Sequence, residues 1–292
     1  MERLQEALSR ARDRRREAAQ TAEGAPSSAT RSADNSASGH ATQNTGGATP
    51  VSQDVAAAWR ALPQFVPNEK LLKNNRVLSF FGGAVAQPFD MMRTRLLQQC
   101  KANGYRRIAI TSPTPKCGKS TITANLAFGL ARQTELRVLV IDIDMRRPEL
   151  ANLVGIRENL AFARVLGGHE PPEAHMIAYG NNLAFGTNRV PSANSSELLH
   201  SAFARQQIEL VERKFAPDLV LFDAPPMLAS DDTIGFLDFT DAAILVAAAE
   251  QTSIDEVDVS ETEIASATNM IGVVFNKARY SQGSYGYDKS YY

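Results

Sequence analysis

From residue 106 onward, short apolar segments alternate regularly with segments of helical period. The apolar segments lie at residues 106–112, 136–144, 181–187, 218–226, 242–249 and 270–276 and predict strands, of which 181–187 is the weakest. Helices are predicted between them, above all at 119–133, at 195–215 and from 253, where Ser253 and Glu256 form a capping box. Apolar strands that alternate with helices predict a doubly wound, mostly parallel α/β sheet with helices on both faces. Ligands of such sheets bind at the carboxyl ends of the strands.

Outside this region the pattern changes. Residues 1–20 have a thin apolar stripe and a basic second half, and they predict a short basic helix. Residues 21–54 are rich in Ser, Thr, Ala, Gly and Asn and predict a disordered linker. Large apolar residues return at residue 55, so 55–279 is expected to be one domain with lead-in helices, including one at 87–100. Residues 280–292 would form a disordered tail.

The tail concentrates tyrosine. Five of the chain's seven tyrosines lie in its last thirteen residues, at Tyr280, Tyr285, Tyr287, Tyr291 and Tyr292. Glycine, serine, glutamine and aspartate separate the rings, so the segment has no apolar period with which to pack them. Composition alone leaves two interpretations open, an adhesive low-complexity end or hydroxyls that are presented as substrates.

Composition narrows the class of protein. Of the 292 residues, 43% are hydrophobic and 22% are charged, which is typical of a soluble globular protein. The net charge of -1 gives no overall attraction to nucleic acid. Two cysteines are too few for a disulfide framework, and no apolar run approaches the ~20 residues of a membrane helix. Because the charged start has no signal-peptide core, a cytoplasmic protein is expected.

A phosphate-binding loop is predicted between the first strand and its helix. The sequence there is TSPTPKCGKST, whose end fits the Walker A core with Gly118, Lys119, Ser120 and Thr121. The prolines in this loop have no N–H to donate, so the phosphate-binding amides would begin at Lys116 and Cys117. Lys119 would reach the β- and γ-phosphates of ATP, and Ser120 would bind Mg²⁺.

Acidic residues follow two of the predicted strands. The second strand ends in Asp142-Ile143-Asp144, and a later one ends in Asp223 before Ala-Pro-Pro. Alternation would place Asp142 and Asp144 on one face of their strand. Carboxylates beside a triphosphate suit Mg²⁺ and an attacking hydroxyl. Asp223 resembles the acid of a Walker B motif.

Further polar residues are expected at the same edge of the sheet. Asn276 follows the last strand and is a candidate contact to the nucleotide base. Asp231, Asp232 and Asp241 are interpreted as helix caps or loop residues. Cys117 is interpreted as a small structural residue within the loop.

Together these motifs resemble those of the bacterial tyrosine kinase family, whose members work with exopolysaccharide and capsule export machinery. That family combines a Walker A loop, apolar residues followed by D-x-D-x-R, a Walker B motif ending in D-x-P-P, and a tyrosine-rich tail. Here the corresponding sequences are GKST, DIDMR, DAPP and the last thirteen residues. The segment SANSSELL at 192–199 is also similar to the family's N-P-x-E-L-L, and the resemblance extends over about residues 75–292.

The resemblance implies an ATP-dependent protein-tyrosine autokinase that phosphorylates its own tail and regulates exopolysaccharide polymerisation and export. Lys119 and Ser120 would hold phosphate and Mg²⁺. Asp142 would position or deprotonate the tyrosine hydroxyl, and Asp144 and Asp223 would organise Mg²⁺. The implied partners are further copies of the chain, a tyrosine phosphatase, and the cytoplasmic tail of a membrane chain-length regulator that recruits the protein to the inner face of the membrane.

The sequence departs from the family in two places. Lys116 stands where the family's loop usually has glycine, so its Cβ would strain the turn or its ammonium would help to hold phosphate. The family's oligomerisation motif E-x-x-R-x-x-R falls on Gln87, Asp90 and Arg93, and only the last residue is kept.

Two other functions remain open on the sequence. A partitioning or positioning ATPase of the same P-loop branch would use ATP hydrolysis as a dimer switch. Those proteins carry a signature lysine that would fall within 112–114, where this chain has none. A degenerate nucleotide-binding scaffold of the export machinery is the second alternative, and the intact Lys119, Ser120 and three carboxylates argue against it.

Overall fold

The computed structural model describes residues 53–192, 194–229 and 231–278. The predicted basic helix, the linker up to residue 52 and the tyrosine-rich tail lie outside this part of the chain. None of its helices combines the length and the apolar character that crossing a membrane requires.

The described residues contain one seven-stranded sheet. Its strands are β1 (Arg107–Thr111), β2 (Val138–Asp142), β3 (Met176–Tyr179), β4 (Leu183–Gly186), β5 (Leu219–Asp223), β6 (Ala242–Ala248) and β7 (Asn269–Asn276). Their order is β3-β4-β2-β5-β1-β6-β7, and every neighbouring pair is parallel except β3–β4. Strands β2, β5 and β6 are wholly buried. The predicted doubly wound, mostly parallel sheet is therefore confirmed.

The α-helices in this part of the chain are α1 (Gln53–Ala61), α2 (Glu69–Asn74), α3 (Gln87–Asn103), α4 (Lys119–Ala131), α5 (Leu150–Val154), α6 (Phe162–Leu166), α7 (Ser195–His200), α8 (Ala202–Phe215), α9 (Ile234–Leu237) and α10 (Ile254–Ala267). Short 3-10 turns lie at Leu78–Phe80, Ala84–Ala86 and Pro172–Ala174. Helix α1 begins at Gln53, so it overlaps the last two residues of the linker predicted at 21–54. The capping box of α10 is present, with the Ser253 and Glu256 side chains each bonded to the other's backbone N–H.

The sheet separates two layers of core. Alternate residues of β2 point into each layer, Val138 and Val140 into one and Leu139 and Ile141 into the other. Helix α4 fills the first layer and is buried along almost its whole length. Helices α1, α6 and α8 cover the second layer, and the Trp59 indole N–H closes it with a 2.6 Å hydrogen bond to the carbonyl of Phe215. Because helices pack on both faces of the sheet, the strand ends that carry the polar motifs have fixed positions.

Two features of the chain differ from the sequence prediction. Strand β3, which pairs antiparallel with β4 at the end of the sheet, was not predicted. The single helix predicted at 195–215 is wrong, because the chain breaks at Ser201 into α7 and α8. Ser201 has an extended backbone (φ -76°, ψ 134°), and its hydroxyl accepts a hydrogen bond from the amide of Ala204 at 3.0 Å. That hydroxyl caps α8 and starts it in a new direction.

Candidate functional site

The predicted phosphate loop joins the end of β1 to the start of α4. Gly118 occupies the position before the helix with φ 96°, a value that favours glycine, and Lys119 is the first helical residue. The loop's first residues are tied to the turn after β5, because Met227 N donates to Ser112 O at 2.8 Å and Leu228 N donates to Pro113 O at 3.0 Å. The amides of the last loop residues and of the first turn of α4 together form a site suited to anions.

The end of β7 braces the other side of this loop. Asn276 Nδ2 donates to Cys117 O at 2.9 Å, and Lys277 Nζ donates to Lys116 O at 2.6 Å. A Cβ on Gly118 would lie 2.2 Å from Asn276 Nδ2, so only glycine fits there. Lys116 has φ 67°, in the left-handed region that favours glycine. The structure thus places Asn276 against the loop backbone, and its contact with a nucleotide base stays a prediction.

Cys117 contributes backbone rather than its side chain. The residue is 2% exposed, and its thiol donates to Thr114 O at 3.2 Å. Burial alone would raise the pKa of this thiol, but hydrogen bonds with Thr252 and Thr114 lower it below the ordinary value. The side chain therefore packs beneath the loop, as expected for a structural residue.

Two of the predicted carboxylates meet at the carboxyl edge of the sheet. Asp142 and Asp223 end β2 and β5 and are direct partners in the parallel register. Asp144 lies in the turn beyond β2, because the strand stops two residues earlier than predicted. Its amide donates to Asp142 Oδ1 and to Asp223 O, both at 3.1 Å. The turn, rather than strand alternation, brings the third carboxylate to the site.

Lys119 lies among these carboxylates. Its Nζ is 2.9 Å from Asp144 Oδ2 and 3.5 Å from Asp223 Oδ1, and it lies 3.4 Å from Ser120 Oγ. Burial would lower the pKa of Lys119, but the charges of Asp223, Asp144 and Asp142 raise it above its ordinary value. The ammonium is therefore a fixed cation between the loop and the acids.

The two strand-end carboxylates each keep one oxygen without a hydrogen-bond partner among the described residues, Oδ2 of Asp142 and Oδ2 of Asp223. Both side chains are fully buried. Burial, and then the charge of Asp223, raises the pKa of Asp142 well above its ordinary value, while Lys119 opposes the shift. Burial also raises the pKa of Asp223. Buried acceptors without donors suit a ligand that brings hydroxyl or water hydrogens.

A cleft of about 480 Å³ opens above these groups. One wall is the phosphate loop with Lys116, Gly118, Lys119, Ser120 and Thr121, and Asp144 lies beside them. Arg146, Arg147 and Pro226 also line this cleft. A larger groove of about 690 Å³ lies between residues 165–172 and α8 and contains none of the predicted site residues. The predicted phosphate-loop residues therefore line the smaller cleft, which makes it the candidate site.

The structure fits Mg²⁺ that arrives with a nucleotide. No cluster of three or more His, Cys, Asp or Glu side chains in the described ranges is arranged to hold a metal ion alone. Mg²⁺ in phosphate-binding proteins commonly takes one or two carboxylates and completes its shell with phosphate oxygens and water. Asp223, with its unpartnered oxygen, and the neighbouring Ser120 and Asp144 suit that role.

An ion pair at the cleft was missed by the sequence interpretation. Arg146 makes two hydrogen bonds to Asp232, whose side chain is fully buried. Burial would raise the pKa of Asp232, but hydrogen bonds, first that from Arg146, lower it below its ordinary value. Asp232 does lie in the turn before α9, as interpreted, but no sequence pattern indicated that its carboxylate pairs with Arg146. Asp241 does have a structural place, because its carboxylate accepts the amides of Arg106 and Arg107 at the start of β1.

Comparison with known proteins agrees with this geometry. The CobQ/CobB/MinD/ParA nucleotide-binding domain family (CbiA) matches residues 108–288. Tyrosine-protein kinase YwqD of Bacillus subtilis is 30% identical over 69% of this chain and 85% of its own length. The putative tyrosine-protein kinase AmsA of Erwinia amylovora is 30% identical over 62% of this chain.

A solved structure gives the same grouping. The kinase domain of the Escherichia coli tyrosine kinase ETK superposes with a TM-score of 0.60 and 28% identity, covering 70% of this chain and 81% of that domain. This chain spans only about a quarter of the length of AmsA and of several other matched kinases. The shared region is the nucleotide-binding P-loop domain.

Proposed function

The chain belongs to the bacterial tyrosine kinases of the CobQ/CobB/MinD/ParA nucleotide-binding family, and from that membership we propose that it is an ATP-dependent protein-tyrosine autokinase. It would phosphorylate its own C-terminal tyrosines and so regulate the polymerisation and export of an exopolysaccharide or capsule. The observation that carries the proposal is the arrangement of Asp142 and Asp223, buried in register on neighbouring strands and next to Lys119.

The phosphate loop would hold ATP. The amides from Lys116 to Thr121 would surround the phosphates, and the Lys119 ammonium would leave Asp144 partly to contact the β- and γ-phosphates. Bound Mg²⁺ would supply positive charge that offsets the charge of the phosphates. Ser120, Asp144 and Asp223 would hold that ion.

Asp142 would serve the acceptor. The tyrosine oxygen forms a bond to the γ-phosphorus while the bond from that phosphorus to the ADP oxygen breaks, and the phenolic proton passes to Asp142 Oδ2. A phenol has a pKa of ~10, so a carboxylate is a weak base for it, and the proton leaves late in a loose transition state. The raised pKa of Asp142 brings the two groups closer in basicity. Its fixed hydrogen bond to the Asp144 amide keeps Oδ1 occupied and leaves Oδ2 for the hydroxyl.

The tail would act between copies of the chain. Thirteen extended residues reach about 43–47 Å, and over that length the tail would enter the cleft of a neighbouring subunit. Each phosphate adds about -1.5 to -2 charge, so five would add about -8 to -10 and repel adjacent copies. The chain would thus alternate between an assembled, unphosphorylated state and a dispersed, phosphorylated one. The cytoplasmic tail of a membrane chain-length regulator would recruit and activate it, and a tyrosine phosphatase would reset it.

Two complementary variants test this proposal. One chain carries Lys119→Met with an intact tail, and the other keeps the site but has all five tail tyrosines changed to phenylalanine. Mixed with Mg-ATP and the regulator's tail peptide, they should place phosphate on the tail of the Lys119→Met chain. Equal phosphotyrosine in the phenylalanine variant alone and in the unchanged protein would show that the tail is not the substrate.

A further inference from the structure

Arg146 and Asp232 form a fork at the rim of the cleft. Arg146 Nε donates to Asp232 Oδ2 at 2.8 Å, and Nη2 donates to Oδ1 at 3.0 Å, so both carboxylate oxygens are used. The Asp232 side chain is 0% exposed and the Arg146 side chain is 52% exposed. The acid is therefore the anchored partner, and the arginine is the partner that faces outward.

Asp232 is also held by the structure around it. Ser195 Oγ, at the start of α7, donates to Asp232 Oδ2 at 3.2 Å. The next residue, Thr233, donates its hydroxyl to Pro225 O at 2.7 Å. Asp232 thereby joins the turn after β2, the start of α7 and the segment after β5. A buried carboxylate is costly unless it is paired and hydrogen-bonded. We therefore expect these contacts to hold the Asp232 side chain in one position.

The arginine keeps donors for a ligand. A guanidinium has five N–H donors, and the fork uses one on Nε and one on Nη2. The remaining donors include both on Nη1, and these have no hydrogen-bond partner among the residues that the structure describes. Arg146 lines the same cleft as Lys119 and Ser120. A planar guanidinium whose Nε and Nη2 are fixed by a carboxylate can use Nη1 to bind phosphate oxygens.

We propose that Asp232 is a positioning residue for phosphoryl transfer, which holds the guanidinium of Arg146 so that its free edge contacts the phosphoryl group as it passes from ATP to the acceptor. This inference rests on the proposed kinase function. During the transfer Arg146 and Asp232 keep their protons, and the phenolic proton still goes to Asp142. A donor that is already oriented stabilises the charge on the phosphoryl oxygens without rearranging in the transition state.

The proposal predicts a loss of rate rather than of ATP affinity. Asp232→Asn keeps the shape but replaces one acceptor oxygen with an NH₂ group that opposes the arginine donors. Arg146→Lys keeps the charge but cannot form the fork. Each variant should lower kcat about tenfold to a hundredfold and change the KM for ATP by less than about threefold, since the group misplaced acts mainly in the transition state.

A double-mutant cycle tests whether Asp232 acts through Arg146. We would measure phosphate transfer to the tail of the Lys119→Met chain by the unchanged protein, the two single variants and the double variant. The double variant should be no slower than Arg146→Lys alone, because the carboxylate has no fork left to hold. The inference would be overturned if the two substitutions lowered kcat by independent factors that multiply in the double variant. An unchanged kcat in Arg146→Lys would also overturn it. Arg146→Lys keeps the test valid if Asp232→Asn does not fold.

A matched pair elsewhere controls for stability. Arg107 and Glu212 form the same kind of fork, at 2.9 and 2.6 Å, and Arg107 begins β1 at the end of the sheet opposite to the cleft. Glu212→Gln should lower Tm and leave kcat unchanged. If the unchanged protein forms no phosphotyrosine, the kinase proposal is wrong and the same cycle is run on ATP hydrolysis. If the two substitutions lower the hydrolysis rate by independent factors that multiply, or if there is no hydrolysis at all, the role of Asp232 is overturned as well.

Discussion

Asp142 is a buried residue of the candidate site that carries an ionisable group, where a core residue would be apolar. Its side chain is fully buried beside Asp223 and Lys119, and one of its oxygens has no partner among the described residues. Burial is the largest cause of its raised pKa. The ionised carboxylate therefore opposes folding, and this cost agrees with the chemical role proposed for Asp142.

Asp142→Asn should abolish tail phosphorylation and raise Tm at neutral pH. The folded-state pKa of Asp142 lies above its ordinary value of 3.8, so the folded protein binds the proton more tightly than the unfolded chain. Stability from this group is consequently lost as pH rises from that value to the folded-state pKa, and the lower stability persists above it. The Tm advantage of Asp142→Asn should be smallest near the ordinary pKa and grow with pH, as thermal melts across pH would measure.

A second carboxylate gives the control for this prediction. Asp241→Asn removes an acceptor of two backbone amides at the start of β1. It should lower Tm and leave the phosphorylation rate unchanged. A lower Tm for Asp142→Asn at neutral pH would contradict the claim that the ionised Asp142 carboxylate destabilises the folded protein.

At the scale of elements, the sequence predicted the parts whose cause is local. Strands β2, β5 and β6 are apolar on both faces, and the Walker A core lies where a strand meets a helix, so both could be read from composition and spacing. The Arg146–Asp232 fork could not, because its residues lie 86 positions apart and no period relates them. The position of Asp144 could not be predicted from the sequence either, because it depends on how the turn after β2 folds back onto Asp223.

The break between α7 and α8 likewise depends on one contact that spacing does not show. Ser201→Ala removes the hydroxyl that accepts the Ala204 amide. We expect a loss of about 1 kcal/mol in the free energy of unfolding, as is usual for helix caps, measured by urea denaturation. Ser266→Ala is the control, because that exposed hydroxyl bonds only to a carbonyl within α10. Equal stabilities for the two variants would mean that Ser201 does not define the start of α8.

At the scale of the whole molecule, the sheet order gathers the site from distant parts of the chain. Strand β1 lies between β5 and β6, so the phosphate loop, the Asp223 turn and the end of β7 all lie at one edge. Asn276 and Lys277 contact the loop directly, and the tyrosine-rich tail begins a few residues later. Lys277 also lines the cleft, so the proposed acceptor segment follows it closely along the chain.

The most direct measurement is phosphotyrosine mapping by mass spectrometry on the purified chain with Mg-ATP, with and without the regulator's tail peptide. Lys119→Met would be compared with Lys214→Met, which removes a lysine that pairs with Glu173 away from the cleft. Phosphate on Tyr280, Tyr285, Tyr287, Tyr291 or Tyr292 that is lost only in Lys119→Met is the predicted result. ATP hydrolysis without phosphotyrosine would contradict it and indicate a switch ATPase, and neither activity would indicate a nucleotide-binding scaffold.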